Sequence, residues 1–141
     1  MKSLFATIFG ALLALALSAG SAAAARVTIT GEVIDSWCYL TEIMYPLGTA
    51  HRQCALWCAA GGIPAAIVDD DGQVYIILKI ETDSVNVANP TILDLQTNRI
   101  TVEGDTFERD GITYLTIARV IENEGIVNLT ADKYGIQPFG E

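Results

Sequence analysis

The stretch from Pro64 to Ile80, PAAIVDDDGQVYIILKI, constrains the fold most. Two runs rich in branched and aromatic side chains, AAIV and QVYIILKI, flank DDDG. Such side chains suit a pleated strand, and a polar run ending in glycine suits a tight reversal. The segment therefore predicts a β-hairpin. The three aspartates, Asp69 to Asp71, are turn chemistry: they lack the alternating acidic spacing and distal glutamate of a calcium loop.

Further strands lie on both sides. RVTITGEVIDSWC (Arg26–Cys38) alternates, with Val27, Ile29, Gly31, Val33 and Asp35 on one face. Thr28, Thr30, Glu32 and Ile34 take the other face, and Gly31 in the middle predicts a bulge or a sharp coil. RITVEGDTFERDGITYLTIARVIEN predicts two more strands that turn at RDG. Ile100, Val102 and Phe107 mark the first of them. In the second, Ile112, Tyr114, Thr116 and Ala118 alternate with Leu115, Ile117 and Arg119. TILDLQTN, after Pro90, predicts a short helix over 91–98. YLTEIMYPLGTA carries Pro46 and Gly48 and predicts a loop with at most one helical turn. Thr49 is expected to cap a helix over Ala50–Ala60, which Gly61 and Gly62 end and Pro64 keeps from resuming. The tail predicts a short strand at Ile126–Leu129.

The order is strand, insertion with helix, strand, strand, short helix, strand, strand. That is the plan of the OB-fold. The expected fold class is mainly β: a five-stranded OB-like Greek-key barrel. A cysteine-bearing helix is inserted between strands 1 and 2, and a short helix lies between strands 3 and 4. VTITGEVID and the later NRITVEGDTFERDGITYLTIARVIE also resemble the first and last strands of small exported bacterial OB-fold-like domain proteins. Those proteins share a G-x-V-x-D opening strand and a V-x-V-x-G…G…I-x-V closing pair. The resemblance covers most of residues 26–141 and implies an OB-like barrel. The cysteine segment lies outside the general pattern and looks like the mark of a smaller, cysteine-bearing subgroup.

At the N-terminus, MKSLFATIFGALLALALSAGSAAAA joins Lys2 to an apolar run, Leu4 to Leu17, and then to small residues ending in Ala-x-Ala. This predicts a secretory signal peptide over residues 1–25, cleaved after Ala25. The run is shorter than the roughly 20 residues of a membrane span. No cysteine follows LSAGS to carry a lipid, so no stable membrane anchor is expected after cleavage. Residues 26–141 are expected to form a single exported domain, in a bacterial periplasm. The chain's formal net charge is −9, and the leader holds one of its eight basic residues. An OB barrel that binds single-stranded nucleic acid needs a basic groove with stacking aromatics, so this acidic chain excludes a nucleic-acid partner.

Within this frame one segment carries chemistry. HRQCALWCAAGG (His51–Gly62) holds the only histidine and two of the three cysteines, at H-x2-C-x3-C spacing. On a helix turning about 100° per residue, His51, Cys54 and Cys58 fall within about 60° of arc. Cys38 lies just past the first strand, and the intervening loop is long enough to fold the helix back beside it. The four form a Cys3His set, and soft thiolates with an imidazole suit Cu(I) or Zn(II). Met44 is a further thioether donor for Cu(I).

Two alternatives stand beside metal binding. Export favours thiol pairing, and three cysteines leave one over. Cys38 can pair with Cys54 or Cys58 to tether the inserted helix to the barrel, making a structural or interaction module. Cys54 with Cys58 is disfavoured across one helical turn. The same thiols can instead serve a redox partner, although no acidic orienter for His51 is placed by the sequence. An iron–sulfur cluster lacks its fourth cysteine, and haem attachment lacks a histidine after Cys58. No catalytic residue is assigned. Trp37 and Trp57 are expected in core or barrel-end packing. The expected function is an exported soft-metal-binding protein, with another exported metal- or thiol-handling protein as its partner.

Overall fold

The computed structural model describes residues 24–81 and 88–137. The leader expected over residues 1–25 lies outside these but for its last two residues. Among the described residues no helix is long and apolar enough to cross a membrane.

Five strands close a barrel in the order β1-β2-β3-β5-β4. They are β1 (Ala25–Asp35), β2 (Ala65–Asp69), β3 (Val74–Ile80), β4 (Arg99–Arg109) and β5 (Ile112–Gly125). Among the described residues only the β3–β5 pairing is parallel; the rest are antiparallel. This is the OB-like barrel that the strand order predicts. The β2–β3 hairpin turns as its acids require: Asp69 Oδ1 accepts from the amides of Asp71 at 3.0 Å and Gln73 at 2.9 Å.

Strand β1 closes the barrel because it pairs on both edges. Its first part runs along β4 from Ala25 to Glu32, and its second along β2 from Gly31 to Asp35. Gly31 sits at this changeover. A Cβ there would stand 2.3 Å from the Val68 carbonyl oxygen, so only glycine lets β1 coil so close to β2. Gly104 plays the same part where β4 shifts register against β5, with the Thr116 carbonyl oxygen 2.4 Å from a built Cβ.

Ile29, Val33, Ile67, Ile77, Ile100, Val102, Leu115 and Ile117 fill the barrel. Helix α3 (Pro90–Leu95), capped by Asn89, adds Ile92 and Leu95 to that core. The insertion between β1 and β2 carries two helices, α1 (Ser36–Thr41) and α2 (Arg52–Ala60). Ala59 of α2 joins the barrel core, and Arg52 donates to the Gln96 carbonyl just beyond α3. Ile34, Ala66 and Val68 form a second cluster on the outer face of β1 and β2, covered by Tyr39 and Leu47 of the insertion.

The first strand ends at Asp35, with Cys38 just past it as expected, and Asp35 turns its carboxylate back to cap α1. Two local expectations are corrected. Thr49 does not cap α2: its hydroxyl accepts from the Ala131 amide at 2.9 Å, and the helix begins at Arg52 with His51 in the cap position. Ile126–Leu129 is not a strand. Asn128 there accepts from the Thr49 amide at 3.0 Å, and the chain then forms α4 (Ala131–Tyr134). Buried Glu32 joins these parts, accepting from the Gly48 amide at 2.6 Å and from Asn128 Nδ2 at 3.4 Å.

Candidate metal centre

The rigid end of β1 supplies the foundation. Asp35 pairs with Ala65 in the β1–β2 ladder, and the Ser36 amide donates to the Pro64 carbonyl at 3.1 Å. Asp35 is thus held by the barrel while its side chain faces the insertion. One carboxylate oxygen, Oδ1, accepts from the Cys38 amide at 2.9 Å, which caps α1 and fixes Cys38 in its first turn. The other, Oδ2, accepts a hydrogen bond from His51 Nε2. Both side chains are fully buried.

Helix α2 brings the remaining thiols over this pair. Cys54 Sγ lies 3.8 Å from Cys38 Sγ and 3.9 Å from Cys58 Sγ. The sulfurs of Cys38, Cys54 and Cys58 all lie within 4.8 Å of one another. Cys38 is 3% exposed, while Cys54 and Cys58 are half-buried. All three are free thiols, since a disulfide needs sulfurs about 2.05 Å apart.

The four donors expected from the sequence divide into two overlapping groups that share Cys38. One is the three thiols; the other is Asp35, Cys38 and His51, whose donor atoms also lie within 4.8 Å of one another. His51 keeps helical dihedrals at the start of α2, and its carbonyl accepts from the Ala55 amide at 2.9 Å. Its ring, however, turns to Asp35. Met44 lines a cavity of about 350 Å³ together with Cys54 and Trp57.

Asp35 is the residue that sequence reasoning missed. Its signal was the D-x-x-C spacing of Asp35 and Cys38, a cap pattern at the end of a strand. Since Nε2 donates to a carboxylate, the neutral ring carries its lone pair on Nδ1. That atom is buried with no hydrogen-bond partner among the described residues. A carboxylate behind one ring nitrogen, leaving the other free, is how ligand histidines are commonly oriented.

Burial pushes the Cys38 thiol up to about 12, helped by the Asp35 carboxylate and the neighbouring thiols. Burial, Asp35 and Cys54 push Cys58 up to about 11. Both thiols therefore keep their protons at neutral pH until a cation displaces them. Burial alone would raise the Asp35 carboxyl. The hydrogen bonds from His51 and the Cys38 amide outweigh it and hold the group below the usual carboxylate range.

The sulfur separations can be tested against a metal. Three thiolates at about 2.3 Å from one ion stand about 3.8 Å apart at tetrahedral angles and about 4.0 Å apart in a plane. The observed edges of 3.8 and 3.9 Å match either arrangement. The surroundings differ from expectation in one respect. Trp37 is 53% exposed and Trp57 is 74% exposed, so neither is in the core or closes the barrel. The inward faces of the short helices are taken by Cys38, Ala55 and Ala59, which turns both indoles to solvent beside the thiols. No family model, curated protein or solved structure matches this chain.

Proposed function

We propose that this chain is an exported soft-metal-binding protein, with Cys38, Cys54 and Cys58 as the ligands and Cu(I) as the favoured ion. The observation that carries this is the thiol triad, two of whose sulfur edges, 3.8 and 3.9 Å, match those around one ion, with the third within 4.8 Å. Cu(I) accepts three soft ligands and needs no fourth. Zn(II) takes four, and His51, which groups with Asp35 and Cys38 rather than with Cys54 and Cys58, would have to turn its ring to complete that set. The bound ion would neutralise three thiolates. Asp35 and His51 would hold Cys38 in place from behind, and the half-buried Cys54 and Cys58 would leave the ion open to a partner. That partner is another exported protein that handles metal or thiols. The leader pattern of residues 1–25, Lys2, an apolar run and a terminal Ala-x-Ala, supports export.

The test is a titration of reduced, anaerobic protein with Cu(I), and separately with Zn(II), against a competing chelator. Native mass spectrometry counts the bound ions. One Cu(I) per chain that shields all three thiols from alkylation is expected. A protein that retains neither ion, with thiols that alkylate equally fast with and without metal, overturns the proposal.

A further inference from the structure

Cys54 occupies a position that metal binding alone does not need: it is the middle thiol of three. Its sulfur lies 3.8 Å from Cys38 and 3.9 Å from Cys58, so distance does not choose between the two. The backbone does. Cys54 and Cys58 sit in one unbroken helix, Arg52–Ala60. Residues one turn apart there hold their Cβ atoms about 5–6 Å apart, whereas a disulfide needs about 3.5–4.5 Å. Cys38 belongs to a different helix, joined to α2 by a loop, so Cys38 and Cys54 can close without breaking helical geometry.

Access differs as well. Cys54 lines the cavity of about 350 Å³ bounded by Met44, Trp57 and Ile136, so a small external molecule reaches its sulfur. Cys38 is buried beneath it.

We infer that the site is redox-gated: an external disulfide exchanges with Cys54, Cys38 then resolves it, and the resulting Cys38–Cys54 bond removes two of the three metal ligands. The metal half of this inference rests on the function proposed above; the disulfide half does not. In the first step Cys54 loses its proton and its thiolate attacks one sulfur of the incoming disulfide. That S–S bond breaks, and the departing thiolate takes up the proton. In the second step Cys38 loses its proton and attacks Cys54 Sγ, which breaks the mixed disulfide and releases the second external thiol with that proton. Cys38 and Cys54 are together oxidised by two electrons, and the external disulfide is reduced to two thiols. Cys58 alone remains as a sulfur donor.

The probe is oxidised glutathione, applied to the reduced full chain, with peptide mapping of the trapped products. The expected product links Cys38 to Cys54 and leaves Cys58 free to alkylate. Cys38→Ser is expected to stop at a stable glutathione adduct on Cys54, and Cys58→Ser to form the bond about as fast as the parent. A Cys54–Cys58 bond, or a stable adduct on Cys58 in the parent, overturns the pairing. This mapping needs no variant, so a variant that fails to fold does not rescue the inference. In the metal arm, Cu(I)-loaded protein treated with the same probe is expected to release its ion as the Cys38–Cys54 bond appears. Retention of the ion after the bond has formed overturns the gate while the metal function stands. Formation of the bond in a protein that never bound Cu(I) overturns the metal function while the pairing stands.

Discussion

Replacing His51 with alanine tests the foundation of the site. His51 and Asp35 are both fully buried, and the hydrogen bond from His51 Nε2 is the main interaction that keeps the Asp35 carboxylate charged. His51→Ala leaves that charge with only the Cys38 amide and thiol. Removing one partner of a buried pair costs roughly 3–5 kcal/mol, because the other is left desolvated. For a domain of this size that lowers the melting temperature by on the order of 10 °C or more. The lost imidazole volume contributes to the cost, so the assay is a double-mutant cycle. Asp35→Asn, His51→Ala and the double variant are unfolded in urea at neutral pH, with an expected coupling of about 2 kcal/mol. The pH dependence has a definite sign. The folded carboxyl titrates below its ordinary value of 3.8, so its contribution is present above that value and is lost as pH falls through the lower folded one. In His51→Ala burial raises the same carboxyl, so parent and variant should converge in stability as the pH drops into the acid range. A cost below about 1 kcal/mol, or a gap that does not change with pH, would refute a charged, His51-dependent Asp35.

Metal affinity should fall steeply as the pH drops, because the Cys38 and Cys58 thiols keep protons up to about 12 and about 11. The protons displaced from Cys38 and Cys58 alone give roughly a hundredfold change in affinity per pH unit, and one from Cys54 would add up to a further tenfold, measured by chelator competition around neutrality; a slope near zero contradicts it. Gly31→Ala should destabilise the barrel by roughly 2 kcal/mol or more. Its Cβ would meet backbone, the Val68 carbonyl, at 2.3 Å, so the strand crossing must shift. An unchanged urea midpoint would show that β1 does not coil there as described.

Most of the barrel was legible because its signals are local. Alternation in β1, β4 and β5, the Asp-rich turn after β2 and the proline that opens α3 each act within a few residues. What was not legible depends on contacts between distant segments. Asn128 looked like part of a strand from its neighbours Val127 and Leu129. It instead pairs with Thr49, which is thereby withdrawn from capping α2. The two tryptophans were assigned to packing by their size, but helices as short as α1 and α2 have one inward face, and small residues and Cys38 fill it.

The site divides in the same way. Clustering of the three cysteines and the histidine was visible in the sequence, and helical spacing put Cys54 and Cys58 on one face, as found. Their grouping was not visible. A buried imidazole needs a hydrogen-bond partner, and the one it has, Asp35, lies on another element at the end of β1. No spacing rule within the helix can reveal that.

The central claim is that the three thiols hold one ion. X-ray absorption of the Cu(I)-loaded, reduced protein reads it directly. The account predicts a first shell of three sulfur atoms at about 2.3 Å, reduced to two in each single Cys→Ser variant. A shell of nitrogen and oxygen alone, or a sulfur count unmoved by loss of Cys38, would contradict it.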